Sequence, residues 1–338
     1  QERFKAIRRI GDAAKAHGAE FVLVAGDLFD SSTASKATVS AACSAIGQLG
    51  IPVLAIPGNH DHGGPGGIWE QSFFQRERES LAPNFRVLLK PEPIELESAW
   101  IFPCPLLRRA ESIDTTAWLR TPDAVSACLS AKPRIVLAHG STQGFSSQSD
   151  DDDSDSTATN QIDLSRLPAG IFDYVALGDW HGTKNVAPTA WFSGTPEIDR
   201  FPRGQDNDPG NVLAVVVERG EQPSVTSVRT SRLRWHQLAF DLIEDSSLAI
   251  LRQRLEGLIG QRANDDLLRL ELTGSLGVQS ASRLEELLES LQARLLRLKL
   301  TNKVIVAPTP EEIQALTQRP ADPLISRVAS QLVASPTT

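Results

Sequence analysis

Apolar positions in the first part of the chain fall into short blocks separated by glycine-bearing polar loops. Phe4, Ile7, Ile10 and Ala14 share one helical face, and the pattern stops at His17-Gly18, where a glycine cap ends a helix. Glu20 to Ala25 contains the continuous run FVLVA, the pattern of a strand buried in a parallel sheet. Gly26 to Asp30 reads as a loop, followed by a helix carrying Val39, Cys43, Ile46 and Leu49. A second buried run, Ile51 to Ile56, ends in Pro57-Gly58-Asn59-His60-Asp61. This order of strand, loop, helix, strand and loop predicts α/β layers with loops gathered at the strand C-termini. Phe85 to Leu106 reads as shorter strands, while Arg134 to Ala138 and Asp173 to Leu177 repeat the device of an apolar strand running into a histidine-bearing loop. Val212 to Val217 and Trp235 to Leu242 add strands on the far side.

The style changes near Leu233. Leu248, Leu251, Leu255 and Leu258 mark one amphipathic helix, and Leu284, Leu287, Leu288, Leu291, Leu295 and Leu298 a second. Between them Leu268, Leu270 and Leu272 alternate with Arg269 and Glu271, the period of a half-exposed strand, and Lys303 to Val306 reads as another. Residues 233–338 are therefore expected to form a second, α+β domain. Its loops lack catalytic residue types, so it is expected to bind something, with Thr309 to Leu332 as a partner-facing segment.

Composition narrows the class. The chain has 338 residues, of which 41% are hydrophobic and 22% charged, enough for one large domain or two smaller ones. No run approaches the ~18–20 apolar residues of a membrane span. Cys43, Cys104 and Cys128 are too few for a disulfide framework and lack C-x-x-C spacing, which argues against zinc thiolates and for a reducing cytoplasm. The net charge of −8 argues against a basic, nucleic-acid-coating surface. Part of it sits in QSDDDDSDS at 148–156, too charged to pack; without those five aspartates the charge is −3, so the rest is only mildly acidic. The chain contains no methionine and opens at Gln1 inside a helical pattern, so a preceding segment is expected to be missing.

Four loops carry the chemistry: Gly26-Asp27-Leu28-Phe29-Asp30, Gly58-Asn59-His60-Asp61, Ala138-His139-Gly140 and Gly178-Asp179-Trp180-His181-Gly182. Each sets a carboxylate, amide oxygen or imidazole beside a glycine, which lets the backbone turn sharply and a ligand approach. Taken alone, Asp27 is more often a turn or cap residue than a ligand, and a single strand-end histidine is usually a surface residue. Three of six histidines, His60, His139 and His181, share this one context, however, and that repetition favours a metal site. His17 reads as a helix-end cation, His62 as a loop residue and His236 as an ordinary strand side chain. Mixed oxygen and nitrogen donors suit Mn²⁺, Fe or Zn better than magnesium alone. Trp180 either stacks on a base or packs its loop, and Arg200 and Arg203 read as surface charge.

With GDLFD, PGNHD, a strand-end histidine and a late G-x-x-H in order, the chain resembles the calcineurin-like metallophosphoesterases. AGDLFDSS, SGTPEIDRF and the leucine-rich C-terminal part resemble most the SbcD-type DNA repair nucleases. The resemblance implies a four-layer α/β/β/α sandwich over residues 1–232, with 233–338 as a capping domain. It also implies two divalent ions, manganese above all. Asp27 would bridge them, Asn59, His139 and Asp179 would serve the second and His181 the first. His60 would not bind metal but would face the scissile phosphate and stabilise charge or protonate the leaving oxygen. Two departures stand out: no Asp-x-His motif precedes Asp27, and Asp179 replaces the first histidine of the usual G-H-x-H. As written, residues 1–338 are thus expected to hold about one ion tightly and to show little turnover. The implied activity is exonuclease on duplex DNA ends and endonuclease on single strands. The implied partners are DNA, an SbcC-type coiled-coil ATPase and a second copy of the chain. A phosphodiesterase of small molecules and a non-catalytic DNA-end-binding subunit remain as alternatives.

Overall fold

The computed structural model describes residues 2–126, 130–143, 159–201, 208–319 and 322–334. The acidic run at 148–156, Cys128 and Arg203 lie outside the described residues. The chain divides into two compact units at the Arg232–Leu233 junction, with Arg200 and Phe201 grouping with the second.

In the first unit, helix α1 (Glu2–Ala16) ends at Gly18, whose φ of +62° is the left-handed cap its sequence announced. Strand β1 (Val22–Ala25), helix α2 (Lys36–Gly47), strand β2 (Val53–Ile56), helix α3 (Ser72–Leu81) and strand β3 (Phe85–Val87) follow. The three strands pair in parallel in the order β1-β2-β3. Ser35 caps α2 by accepting from the Thr38 N–H, and the helix stops before Leu49, which packs on the core from outside it.

A second sheet takes in β4 (Ile94–Glu95), β5 (Trp100–Cys104), β6 (Arg134–His139), β9 (Tyr174–Gly178), β10 (Lys184–Ala187) and β11 (Ala190–Phe192), in the order β10-β11-β9-β6-β5-β4. Its centre, β5-β6-β9, is parallel. Two short strands, β7 (Ser141–Thr142) and β8 (Gln161–Ile162), pair beside it. A core of Leu54, Ile56, Ile101, Ile135 and Leu137 lies between the two sheets. The far face of the small sheet packs on α2 and α3 through Val39, Cys43, Ile46 and Phe74. The far face of the large sheet is covered by Leu119, Ile162 and Phe172, near the short helix α4 (Asp123–Ser126). The expected strand at 212–217 is β12 (Asn211–Val216), which pairs only with β13 (Ser224–Arg229) in an antiparallel hairpin.

The second unit runs β14 (Arg234–Leu242), α5 (Ser247–Ile259), β15 (Asp266–Leu276), α6 (Val278–Arg294), β16 (Arg297–Asn302) and β17 (Ile305–Val306), then α7 (Pro310–Thr317) and α8 (Pro323–Ala334). β14, β15 and β16 are all parallel, so the expected α+β arrangement is corrected to βαβαβ. Alternating leucines show which face of a strand is buried but not which way its neighbour runs; a helix between each pair of strands is what permits parallel pairing. The expected helix to Leu298 ends at Arg294, since Leu298 and Leu300 already belong to β16, where they alternate with Lys299 and Thr301. Leu248, Leu251 and Leu255 of α5 and Leu284 and Leu291 of α6 bury against Leu268, Leu270 and Leu272 of β15.

Candidate functional site

The four loops named from sequence follow β1, β2, β6 and β9 at their C-terminal ends. Register brings the last two together: His139 pairs with Gly178, and the Gly140 N–H donates to the Gly178 carbonyl. The ends of the two sheets touch at the same place. A Cβ on Gly178 would lie 1.7 Å from the Ala25 carbonyl oxygen, and one on Gly26 2.3 Å from His139 Nδ1. Gly26 also has a φ of +88°. These two positions admit no side chain, which is the physical content of the glycines in the motifs.

His139, 1% exposed, organises the centre. Its Nδ1 lies 2.7 Å from the Ala25 carbonyl oxygen, which can only accept, so Nδ1 carries the proton and donates it. Its Nε2 faces Asn59 Oδ1 at 2.9 Å, Asp27 Oδ2 at 3.4 Å and Asp179 Oδ1 at 4.0 Å. One imidazole nitrogen and three oxygens thus converge, the mixed donor types that a divalent transition ion takes. Donation of the other ring N–H to a carbonyl is also how metal-binding histidines are oriented. Among the described residues no three His, Cys, Asp or Glu side chains form a ready-made ion site, so the Asn59 amide oxygen is needed to complete the set. With it, the donors fit a divalent ion.

Backbone strain surrounds these donors. Asp27 has a φ of +55° and Asp179 of +110°, conformations that cost a non-glycine residue ~1–3 kcal/mol and persist only when surroundings impose them. Two hydrogen bonds do so: the His60 N–H donates to Asp27 Oδ1 at 2.9 Å, and the Ser141 hydroxyl to Asp179 Oδ2 at 2.9 Å. Asp179 therefore does not sit on a plainly extended segment. Of the two readings of Trp180, the structure shows packing, against the core under the large sheet.

His60 stands beside the cluster and is exposed. Its Nδ1–H donates to the Asp30 carbonyl at 3.2 Å, leaving Nε2 as the nitrogen open to a substrate. His181 is held by Asp199, with Nδ1 3.2 Å from Oδ2. The structure thus groups Asp27, Asn59, His139 and Asp179, places His60 at their side, and sets His181 by a pairing of its own.

Sequence reasoning missed three supporting residues. Asp199 lay in the SGTPEIDRF stretch without a role, and Ser141 carried no signal at all. Asp61 had one, a second carboxylate in Gly58-Asn59-His60-Asp61. It is wholly buried and accepts from the backbone N–H groups of Gly58 (2.7 Å), Phe29 (3.1 Å) and Asp27 (3.2 Å), tying the first two loops together. Burial pushes its carboxyl up to about 6, with Asp27 adding to the rise and the Gly58 and Phe29 N–H donors and His139 opposing it. Asp61→Ala would strand three buried N–H groups at ~1–3 kcal/mol each, so a loss of several kcal/mol is expected in urea unfolding. An unchanged midpoint would show that water replaces the carboxylate.

Thiol chemistry is not offered here, since burial pushes the Cys43 and Cys104 thiols up to about 11 and about 12. No helix among the described residues is long and apolar enough to cross a membrane. The sequence model of the calcineurin-like phosphoesterases matches residues 1–183, a span containing all four loops and every donor in the cluster. More than half of the chain is covered, and the chain belongs to the calcineurin-like phosphoesterase family, hydrolases of phosphoester bonds that use divalent metal ions.

Proposed function

We propose that the chain is a DNA nuclease that hydrolyses phosphodiester bonds at the His139 cluster. The observation that carries the hydrolytic part is the convergence of His139 Nε2 with the oxygens of Asn59, Asp27 and Asp179, with His60 alongside. In this reading Asp27 would be shared by two ions, Asn59, His139 and Asp179 would hold one of them, and His181, paired with Asp199, would serve the other. Manganese suits the mixed oxygen and nitrogen set. Ions bound there supply Lewis acidity toward a phosphoryl oxygen. The protein's own part is to hold the phosphate beside His60, which, as the imidazolium with its Nδ1–H on the Asp30 carbonyl, would give its Nε2 proton to the leaving oxygen.

Three features support DNA over a small molecule. His60 is exposed, so a polymer can reach it. The motifs AGDLFDSS and SGTPEIDRF resemble those of SbcD-type nucleases, in a domain read as a four-layer sandwich. The second unit is a separate βαβαβ body, which a small-molecule enzyme does not need and which we assign to capping the DNA. Leu324, Val328 and Leu332 of α8 are 73%, 47% and 70% exposed at four-residue spacing, an apolar stripe suited to a coiled-coil ATPase of SbcC type. With Mn²⁺, whatever turnover residues 1–338 show should favour linear DNA far over cyclic nucleotides. The reverse preference would assign it to the small-molecule phosphodiesterases, and DNA binding without hydrolysis of either would leave a non-catalytic end-binding subunit.

A further inference from the structure

The loop after β5 borders the site without contributing a donor to it. It is pinned at both ends. On one side the Leu106 N–H donates to the Pro57 carbonyl at 3.3 Å and the Gly63 N–H to the Leu106 carbonyl at 2.8 Å, so the loop lies along the segment carrying Asn59 and His60. On the other side Asn160 grips it. The Asn160 side chain accepts from the Glu111 N–H at 2.7 Å and donates to the Arg109 carbonyl at 3.1 Å. The Asn160 backbone carbonyl in turn accepts from the N–H of Ser141, the residue whose hydroxyl orients Asp179. Asn160 does this in a left-handed conformation, φ +57°, which asparagine tolerates better than most residues.

Between these anchors the loop presents Arg108 and Arg109. Both are exposed, and neither guanidinium is held by an ion pair among the described residues. Two adjacent arginines on a clamped loop, between the His60 segment and the Asp179 side of the centre, form a cationic rim to a site whose own donors are electron-rich. Arginine is suited to phosphate by its planar fork of donors, and exposed positive charge near a hydrolytic centre favours polyanions over a single ester.

We propose that Arg108 and Arg109 bind backbone phosphates of a nucleic-acid strand on either side of the one being cleaved. They position the strand and take no part in the bond-breaking step. The inference rests on the nuclease reading above for its choice of ligand, but it can be tested apart from it.

The probe is a fluorescently labelled single-stranded oligonucleotide, bound to the full chain in EDTA across a salt series and followed by anisotropy. R108E/R109E should weaken binding by on the order of tenfold or more at low salt, and reduce the slope of log affinity against log salt by about two. R108K/R109K should keep the slope. In a parallel assay, hydrolysis of bis-p-nitrophenyl phosphate with Mn²⁺ should be unchanged in both variants, since that ester has no flanking phosphates. Unaltered affinity and slope in R108E/R109E would overturn the inference. So would a parent chain that binds no oligonucleotide, or an equal fall in hydrolysis of the small ester, which would make the loop part of the centre. A parent that binds the strand with the predicted slope yet never cleaves it would sink the nuclease reading and leave this contact standing.

Discussion

His139→Ala is expected to abolish tight Mn²⁺ binding and to lower hydrolysis of a chromogenic phosphodiester by ~10³-fold or more. The imidazole lies within 4.0 Å of all three oxygen donors of the cluster, those of Asn59, Asp27 and Asp179. Its loss leaves three electron-rich groups without their nitrogen partner. A residue that only supports a ligand costs ~10–100-fold in metal affinity, so removal of a ligand itself should exceed that. Loss of Lewis-acid assistance worth several kcal/mol corresponds to three or more decades in rate, at about 1.4 kcal/mol per decade. Because His139 is buried, His139→Asn should be measured beside it; that variant keeps a polar side chain in the core and should still lose the ion. Calorimetric titration with Mn²⁺ checks both. Parent-like affinity in the asparagine variant would place the ion elsewhere.

His60→Ala should separate chemistry from metal retention. The imidazole hangs from the loop that also carries Asn59, but it is exposed, and its backbone N–H, which survives substitution, is what touches Asp27. Metal affinity should therefore stay near that of the parent, and stability should change by no more than ~0.5 kcal/mol. Turnover should fall by ~10²–10⁴-fold, the worth of a positioned proton donor, in kcat more than in KM. A variant that loses its metal would make His60 a ligand, and one with undiminished kcat would leave the leaving oxygen to be protonated by solvent.

Much of this centre was legible because strands write themselves plainly in sequence. FVLVA, VLAI and IVLA are apolar without interruption, so each strand end, and the donor just past it, could be located by counting. Donor types follow from residue identity, but which of them share an ion, Asp27, Asn59, His139 and Asp179, was implied by the family resemblance. Supporting contacts were less visible, since they depend on what meets in space. Nothing in Ser141 announces that its hydroxyl orients Asp179, 38 residues away, and nothing in Asp61 says that it accepts from three N–H groups of two loops. Asp179 shows the limit of local periodicity: its φ of +110° breaks the extended alternation that a strand end would otherwise continue. In the second unit, leucine spacing identified helices and strands but not strand direction. The helix at 278–294 also ran into β16 without a break in its leucines, because Leu295 and Leu298 bury into the same core after the helix has ended.

The central claim is that phosphodiester hydrolysis takes place on divalent metal held by the His139 cluster. Its most direct test is one titration of the full chain, stripped of metal, with Mn²⁺, in which bound ion and bis-p-nitrophenyl phosphate hydrolysis are read from the same samples for the parent and for His139→Asn. The account predicts that in the parent hydrolysis rises in step with bound ion and vanishes on chelation, and that the variant shows neither. Hydrolysis that persists in the metal-free parent, or that survives undiminished in the variant, would contradict it.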